Sequence, residues 1–219
     1  MIKLFFLSIL TVILSGCVHL EEYIQINKNG SAKLVMTYSI PKEGLTLLKD
    51  AELVLNELNN KKVETDIPRI FDREKLTAYF KKFKSVDIIS VRVNEEDGRL
   101  VTYINLFIDD FRQTLRDGML PYTTLEKDGD DYVFAARYPF NLSKLKEKPQ
   151  LKKVLDQIKV NFKVKTPTEI TKTNAPKKLA NLVEWDFNSK SAPFTKSDGR
   201  FVVHFNGKNL TFLDDKKEK

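Results

Sequence analysis

The sequence predicts an α+β fold in which a mostly antiparallel sheet of roughly eight to ten short strands packs with three or four amphipathic helices. Two observations predict this fold. Short segments of alternating apolar and polar residues are joined by turn sequences typical of β-hairpins. Longer segments between them repeat their apolar residues at helical spacing. Hairpins pair strands antiparallel, so we expect α+β rather than a doubly wound parallel sheet.

The first sixteen residues have the organisation of an export signal. Lys3 precedes an apolar stretch, residues 4–14, which leads into Leu14-Ser15-Gly16-Cys17. The apolar stretch is too short for a membrane-spanning helix of about 20 residues. The pattern predicts a lipoprotein signal at 1–16, in which Leu14, Ser15 and Gly16 form the cleavage site. Cys17 would then carry acyl chains such as palmitate and anchor the mature protein. The alternative is a buried Cys17 that closes an N-terminal helix.

The remaining residues are enough for one domain. About 200 residues with 42% apolar composition can bury a core. A single cysteine excludes an intramolecular disulfide. We expect one α+β envelope domain at 17–213 and a charged tail at 214–219. The net charge of +7 is spread along the chain, which argues against a nucleic-acid partner.

The mature chain begins with a predicted hairpin. Apolar and polar residues alternate from Leu20 to Ile26 and from Leu34 to Ile40. Asn29-Gly30 between them is a strong hairpin signal, because both residue types tolerate positive φ. Pro41 ends the second strand.

Two helices are predicted next. In residues 43–60, Leu48 and Leu55 fall at helical spacing with other apolar residues. Asp72 is a candidate N-cap for a second helix. Its apolar face would carry Leu76, Tyr79, Phe80 and Phe83.

The middle of the chain predicts two more hairpins and a short helix. Ile89, Val91 and Val93 alternate before the turn at 95–98, and the chain returns through 100–106. A short helix is predicted from Asp109 to Asp117, with Gly118 ending it. The third hairpin joins 123–127 to 132–138.

The last third predicts a helix followed by strands. Residues 141–158 place apolar residues on one helical face, and 160–164 alternate apolar residues with lysines. Asn174 can adopt a left-handed turn conformation. Further strands are predicted near Ile170, at 182–187, at 201–205 and at 210–213.

Two parts of this pattern resemble the LppM-like domain of bacterial envelope lipoproteins. One part is Cys17 with the Asn-Gly hairpin and the strand Ser31–Ile40. The other is Val160–Val164 leading to Pro167, Thr173-Asn174-Ala175 and Val183-Glu184-Trp185. The resemblance implies an α+β envelope domain with an apolar cavity, associated with binding lipids or glycolipids and with no catalysis. It identifies no individual binding residue.

The sequence contains no recognisable catalytic or metal-binding motif. Its two histidines, His19 and His204, are far apart and lack the paired spacing of metal ligands. Acidic clusters lie mainly in predicted turns, where Asp and Gly are favoured. We therefore expect no cofactor, no metal and no enzymatic activity.

Candidate binding residues are apolar or basic. Helix and sheet could leave an apolar cavity between them, and otherwise the same side chains form a filled core. The residues assigned to this cavity are Leu48, Leu55, Phe80, Phe83 and Trp185. Trp185 is expected to be a buried anchor or else a ligand platform. Lys159, Lys163 and Lys165 are either a solvated sheet face or contacts for lipid headgroups.

Three functions follow as alternatives. The first is a lipid-anchored, non-enzymatic lipoprotein of the cell membrane or outer membrane that binds a lipid or another apolar envelope molecule. The second is an accessory lipoprotein that binds another envelope protein through a sheet edge or helix face. The third, an enzyme, would need titratable groups converging in a cleft, which the sequence does not indicate.

Overall fold

Two β-sheets account for most of the residues that the computed structural model describes, which are 18–42, 70–137, 158–188 and 200–212. Of this part of the chain 59% is strand and 11% is helix. The predicted α+β class is therefore wrong: the described residues form eleven strands and two helices, a mostly β fold. The helix predicted at 43–60, and residues 141–157 of the later predicted helix, lie outside the described residues.

In chain order the elements are β1 (Val18–Ile26), β2 (Ala32–Pro41), α1 (Arg73–Phe80), β3 (Val86–Glu96), β4 (Arg99–Ile108), α2 (Phe111–Arg116), β5 (Thr123–Asp128), β6 (Asp131–Arg137), β7 (Ile158–Lys165), β8 (Ile170–Thr173), β9 (Lys177–Leu179), β10 (Leu182–Asn188) and β11 (Arg200–Asn206). Ile158, predicted as the end of a helix, is instead the first residue of β7.

The large sheet has seven strands in the order β3-β4-β2-β1-β7-β10-β9. The small sheet has four in the order β5-β6-β11-β8. In these two sheets every pairing is antiparallel except that of β1 with β7, which starts at Val18 opposite Ile158. The first strand therefore lies at the centre of the large sheet, between β2 and β7.

The three predicted hairpins are confirmed. β1 pairs with β2, β3 with β4, and β5 with β6. In the β3–β4 turn Asp97 and Gly98 both have positive φ, 50° and 72°, which is the requirement of a tight hairpin turn whose twist matches its strands. In the first hairpin Gly30 has φ 85°, and a Cβ there would lie 3.1 Å from the ring of Phe212. Local turn chemistry thus fixes these three pairings.

Both described helices begin where a capping carboxylate was predicted or close to it. The Asp72 side chain accepts a hydrogen bond from the backbone N–H of Lys75 at 3.0 Å, and α1 buries Leu76 and Phe80. At the start of α2, the Asp110 side chain accepts a hydrogen bond of 3.0 Å from the backbone N–H of Gln113. These side chains satisfy backbone donors that the first helical turn leaves unpaired.

The two sheets pack face to face through aromatic side chains. Phe162 of β7 lies 6.2 Å from Phe134 of β6 and 5.2 Å from Phe201 of β11, between ring centroids. Trp185 of β10 meets Phe201 edge-on at 5.3 Å. These rings are buried, so their packing supplies much of the apolar area that holds the sheets together.

Two local predictions were wrong. A bulge between Ile88 and Ser90 shifts the register of β3, so Ile88 turns to the core side and Ile89 is 57% exposed. Asn174 does not adopt the left-handed conformation that its residue type allows, and its side chain is hydrogen-bonded to the backbone of β11. Residues 210–212 are not a strand, although Phe212 is buried.

Candidate functional site

An apolar cavity lies between α1 and the core side of the large sheet. Its volume is about 180 Å³. Four parts of the chain contribute to it: β2, the region of α1, β4 and the segment after α2. The lining residues are Met36, Tyr38, Ile70, Lys75, Leu76, Tyr79, Phe80, Ile104, Met119, Leu120 and Pro121.

Strand alternation and helix periodicity direct these side chains inward. Met36 and Tyr38 are two residues apart on β2, so they share a face of the sheet, and Ile104 is opposite Met36 in register. Leu76 and Phe80 are four residues apart and therefore lie on one side of α1. The sequence thus places a sheet wall opposite a helix wall.

The third wall is the segment Gly118–Tyr122. The Tyr79 hydroxyl donates a hydrogen bond of 2.7 Å to the backbone carbonyl of Met119, which ties the segment to α1. Gly118 and Tyr122 have positive φ, 85° and 61°. A tyrosine in this conformation is unusual, and Tyr122 is also 63% exposed. Backbone hydrogen bonds also hold the segment to α2 and β6, from Met119 N–H to the carbonyl of Thr114 and from Arg137 N–H to the carbonyl of Tyr122.

The side chains that line the cavity are uncharged with one exception. Lys75 is the one charged side chain among the eleven lining residues, and its side chain is 64% exposed. Its Nζ lies 3.3 Å from Oδ2 of Asp72. Met36 and Met119 are the only methionines of the chain apart from Met1, and both line the cavity. Methionine is flexible and polarisable, so two walls of the cavity can adjust to a guest.

A carboxyl group lies beside the cavity wall. Glu22 of β1 is opposite Met36, and it accepts a hydrogen bond of 2.9 Å from the hydroxyl of Tyr38. Burial raises the pKa of Glu22 because the charged form is poorly solvated there, and the hydrogen bond from Tyr38 opposes this only in part. The Tyr38 hydroxyl is also 3.0 Å from the sulfur of Met36. The polar contact thus positions two side chains of the cavity wall.

The residues assigned to a cavity from the sequence are only partly brought together. Phe80 lines the cavity, and Phe83 packs beside Tyr79 with ring centroids 5.4 Å apart. Leu48 and Leu55 lie outside the described residues. Trp185 is 1% exposed within the aromatic core between the sheets and is not among the lining residues. Its Nε1 donates to Oδ1 of Asn174 at 3.2 Å.

The three lysines of β7 share the outer face of the large sheet. Lys159 is exposed, while Lys163 lies 3.8 Å from Oε1 of Glu184 on β10. Glu184 also accepts a hydrogen bond of 2.7 Å from Asn161, which lowers its pKa together with the nearby Lys163 and Lys177. Lys165 is partly exposed at the end of the strand. The row therefore includes at least one lysine that is engaged within the sheet.

The predicted signal and anchor, Leu14 to Cys17, lie outside the described residues. β1 begins at Val18, the residue immediately after Cys17. Among the helices of the described residues, none combines the length and apolar character needed to cross a bilayer. Within the same residues His, Cys, Asp and Glu form no cluster of three that could hold a metal ion.

The fold resembles that of a solved protein. The folded domain of LppM from Mycobacterium tuberculosis, determined by NMR, superposes with a TM-score of 0.50. The two chains are 13% identical, and the match covers 87% of this chain and 90% of that one. At this identity the comparison shows an LppM-like fold and no more. No family model and no curated protein matches the sequence.

The sequence assigns only Phe80 of the eleven lining residues to a cavity, and among the other ten are Met36, Tyr38, Lys75, Ile104 and Met119. They come from separate segments, and each segment looks like an ordinary amphipathic element by itself. The one available signal was composition: both methionines after Met1 face the same space. No spacing rule would have paired them, because 83 residues separate them.

Proposed function

We propose that this chain is a non-enzymatic, lipid-anchored envelope lipoprotein whose β domain binds the apolar part of a lipid or of another envelope molecule. The observation that carries the proposal is the cavity lined by Met36, Leu76, Phe80 and Ile104. An apolar cavity with few polar groups is the usual form of a site for an apolar ligand.

The size of the cavity limits the ligand. Sites for whole drug-sized molecules usually have about 300–1,000 Å³. A dry cavity of about 150 Å³ lined by Leu, Ile and Phe accepts a molecule of the size of benzene. At about 180 Å³ the cavity fits a short section of an alkyl chain rather than a complete lipid. The remainder of such a ligand would lie outside it.

The anchor is a separate part of the proposal and rests on the sequence. Leu14-Ser15-Gly16-Cys17 follows an apolar stretch in the order of a lipoprotein signal. Two or more acyl chains on Cys17 would hold the mature chain stably at a membrane. The membrane in question is the cell membrane or the outer membrane.

Mass spectrometry tests ligand binding directly. Residues 18–219 are incubated with vesicles made from total envelope lipid, repurified, and measured under native conditions, after which bound material is extracted and identified. We expect a bound species with an alkyl chain. Leu76→Trp, which fills the cavity, should lose it, while Leu76→Met keeps the volume and should retain it.

Two results would contradict the proposal. One is a protein that carries no adduct after incubation. The other is an adduct that Leu76→Trp binds as well as the parent chain does, provided that both variants unfold at similar urea concentrations. The second candidate function, binding an envelope protein, would then be favoured. The long edge strand β3, with Ile89 exposed beside its bulge, is the observation that supports that candidate.

A further inference from the structure

We propose that the ligand of the cavity is a single-chain amphiphile with an anionic head, and that Lys75 selects it by pairing with that head. This inference rests on the proposed function. It is carried by the position of one cation at the edge of an otherwise uncharged cavity.

Lys75 is placed to meet both the cavity and water. It lines the cavity, yet its side chain is 64% exposed. A lysine can lay its apolar stem along a wall while its ammonium group stays hydrated. Its immediate neighbour, Leu76, is buried against the same space. A chain inserted beside Leu76 would therefore have its outer end close to a positive charge.

The volume argues for one chain and for a head that stays outside. About 180 Å³ accommodates a short alkyl section, so two acyl chains cannot enter together. The lining offers hydroxyl groups from Tyr38 and Tyr79, but the first is bonded to Glu22 and the second to the Met119 carbonyl. Lys75 is thus the lining group suited to recognise a charged head.

Asp72 competes with the proposed ligand. Its Oδ2 is 3.3 Å from the Lys75 ammonium, and its Oδ1 accepts the backbone N–H of Lys75 as the helix cap. An anionic head would have to share the ammonium with this carboxylate. Asp72→Asn removes the negative charge and keeps a good N-cap, because Asn caps helices about as well as Asp. The pair therefore offers two changes with opposite expected effects.

The methionines supply the measurement. Met36 and Met119 line the cavity on different walls, and a mature chain has no other methionine. The mature chain 17–219 carrying Cys17→Ser, with ¹³C-methyl methionine, is titrated with decanoate and with decanol. These probes share a ten-carbon tail and differ in the charge of the head. Methyl shifts report entry of the tail, and their titration gives each Kd.

We expect both probes to shift both methyl signals, and decanoate to bind more tightly. Lys75→Gln should weaken decanoate binding by about two- to fivefold, the range expected for one exposed ion pair, and leave decanol unchanged. Asp72→Asn should strengthen decanoate binding by a similar factor. Lys81→Gln removes an exposed lysine just after α1 that does not line the cavity, so it should change neither Kd.

The outcomes separate the two proposals. If neither probe moves the methyl signals, the apolar site itself is absent and the proposed function fails. If both probes bind equally well, or if Lys75→Gln weakens them equally, the tail enters but Lys75 does not select the head, and this inference is overturned. A decanoate preference that persists in 0.5 M salt with Lys75→Gln would overturn it too, since screening should remove an exposed charge effect.

Discussion

The hydroxyl of Tyr38 donates a hydrogen bond of 2.9 Å to the carboxylate of Glu22 on the core side of the large sheet. Tyr38 forms part of the cavity wall, and Glu22 is opposite Met36 of the same wall. Burying an ionised carboxylate in apolar surroundings lowers the stability of the fold unless the group accepts hydrogen bonds or becomes protonated. The protonation state of Glu22 is therefore linked to the position of Tyr38 in the cavity wall.

This link predicts a pH-dependent stability. The pKa of Glu22 is raised in the folded state by burial, above its ordinary value of 4.5. At a pH between the ordinary pKa and the raised pKa, Glu22 is protonated in the folded chain and ionised in the unfolded chain. The contribution of Glu22 to the free energy of unfolding therefore falls as pH rises. Glu22→Gln lacks this loss, and its stability relative to the parent chain should increase with pH.

Urea unfolding between pH 4 and pH 8 measures the effect. Tyr38→Phe removes the hydrogen bond that opposes the shift, so the loss of stability with pH should be steeper in that variant. Glu21→Gln, on the opposite face of β1, is the matched control. Parallel stability curves for the parent chain and Glu22→Gln would show that the carboxyl is not buried as described.

A second prediction concerns Trp185. Trp185→Ala should lower the free energy of unfolding by about 3–5 kcal/mol, because it removes a fully buried ring packed against Phe162 and Phe201. Trp185→Phe should cost less, since most of the ring packing is kept. Chemical denaturation followed by circular dichroism gives both values. A loss below about 1 kcal/mol for the alanine variant would place the ring outside the core.

Asn174 provides a third prediction. Its Oδ1 accepts from Trp185 Nε1 at 3.2 Å and from the backbone of Val202 at 2.9 Å, and its Nδ2 donates to the carbonyl of Arg200. Asn174→Ala should cost about 1–3 kcal/mol because it leaves these groups without a partner. In a double-mutant cycle with Trp185→Phe, the two losses should add to more than the loss in the double variant. Strict additivity would mean that the two side chains do not interact.

Gly30 and Gly98 allow a matched fourth test. Both have positive φ, so alanine costs roughly 1–2 kcal/mol at either position. At Gly30 the new Cβ would also approach the Phe212 ring to 3.1 Å, whereas at Gly98 nothing lies within 4 Å. Gly30→Ala should therefore be the more destabilising variant in urea unfolding. Equal losses would indicate that Phe212 moves aside freely.

A fifth prediction tests the anchor. Cys17→Ser removes the thiol that the lipid would occupy, so the protein should leave the membrane fraction after carbonate washing while its urea midpoint stays unchanged. The parent chain, washed in the same way, is the control. A Cys17→Ser protein that stays in the membrane fraction would exclude lipidation at Cys17 as the anchor.

The sequence was most informative where the causes of structure are local. Turn residues at Asn29-Gly30 and Asp97-Gly98 predicted hairpins that exist, and Asp72 predicted the start of α1. Pairing between distant segments could not be predicted in this way. The parallel partner of β1 starts 140 residues later, at Ile158, and no local rule connects these two strands.

The fold class and most of the cavity lining could not be predicted from local patterns. Helical spacing predicts a helix as far as Ile158, whereas this residue is the first of β7. The bulge at Ile89 moved a core position by one residue, which periodicity cannot detect. The cavity depends on side chains from four segments, so it exists only once the sheets and α1 have packed.

The central place of β1 has a mechanical consequence. The residue before Val18 is the proposed attachment to the membrane, so any pull on the domain would enter along the axis of β1. β1 is hydrogen-bonded on both sides, to β2 and to β7, over nearly its whole length. A load along the strand would have to shear many of these bonds together instead of opening them one at a time. A lipid tether at this position would thus be fastened to a strand that is held on both sides.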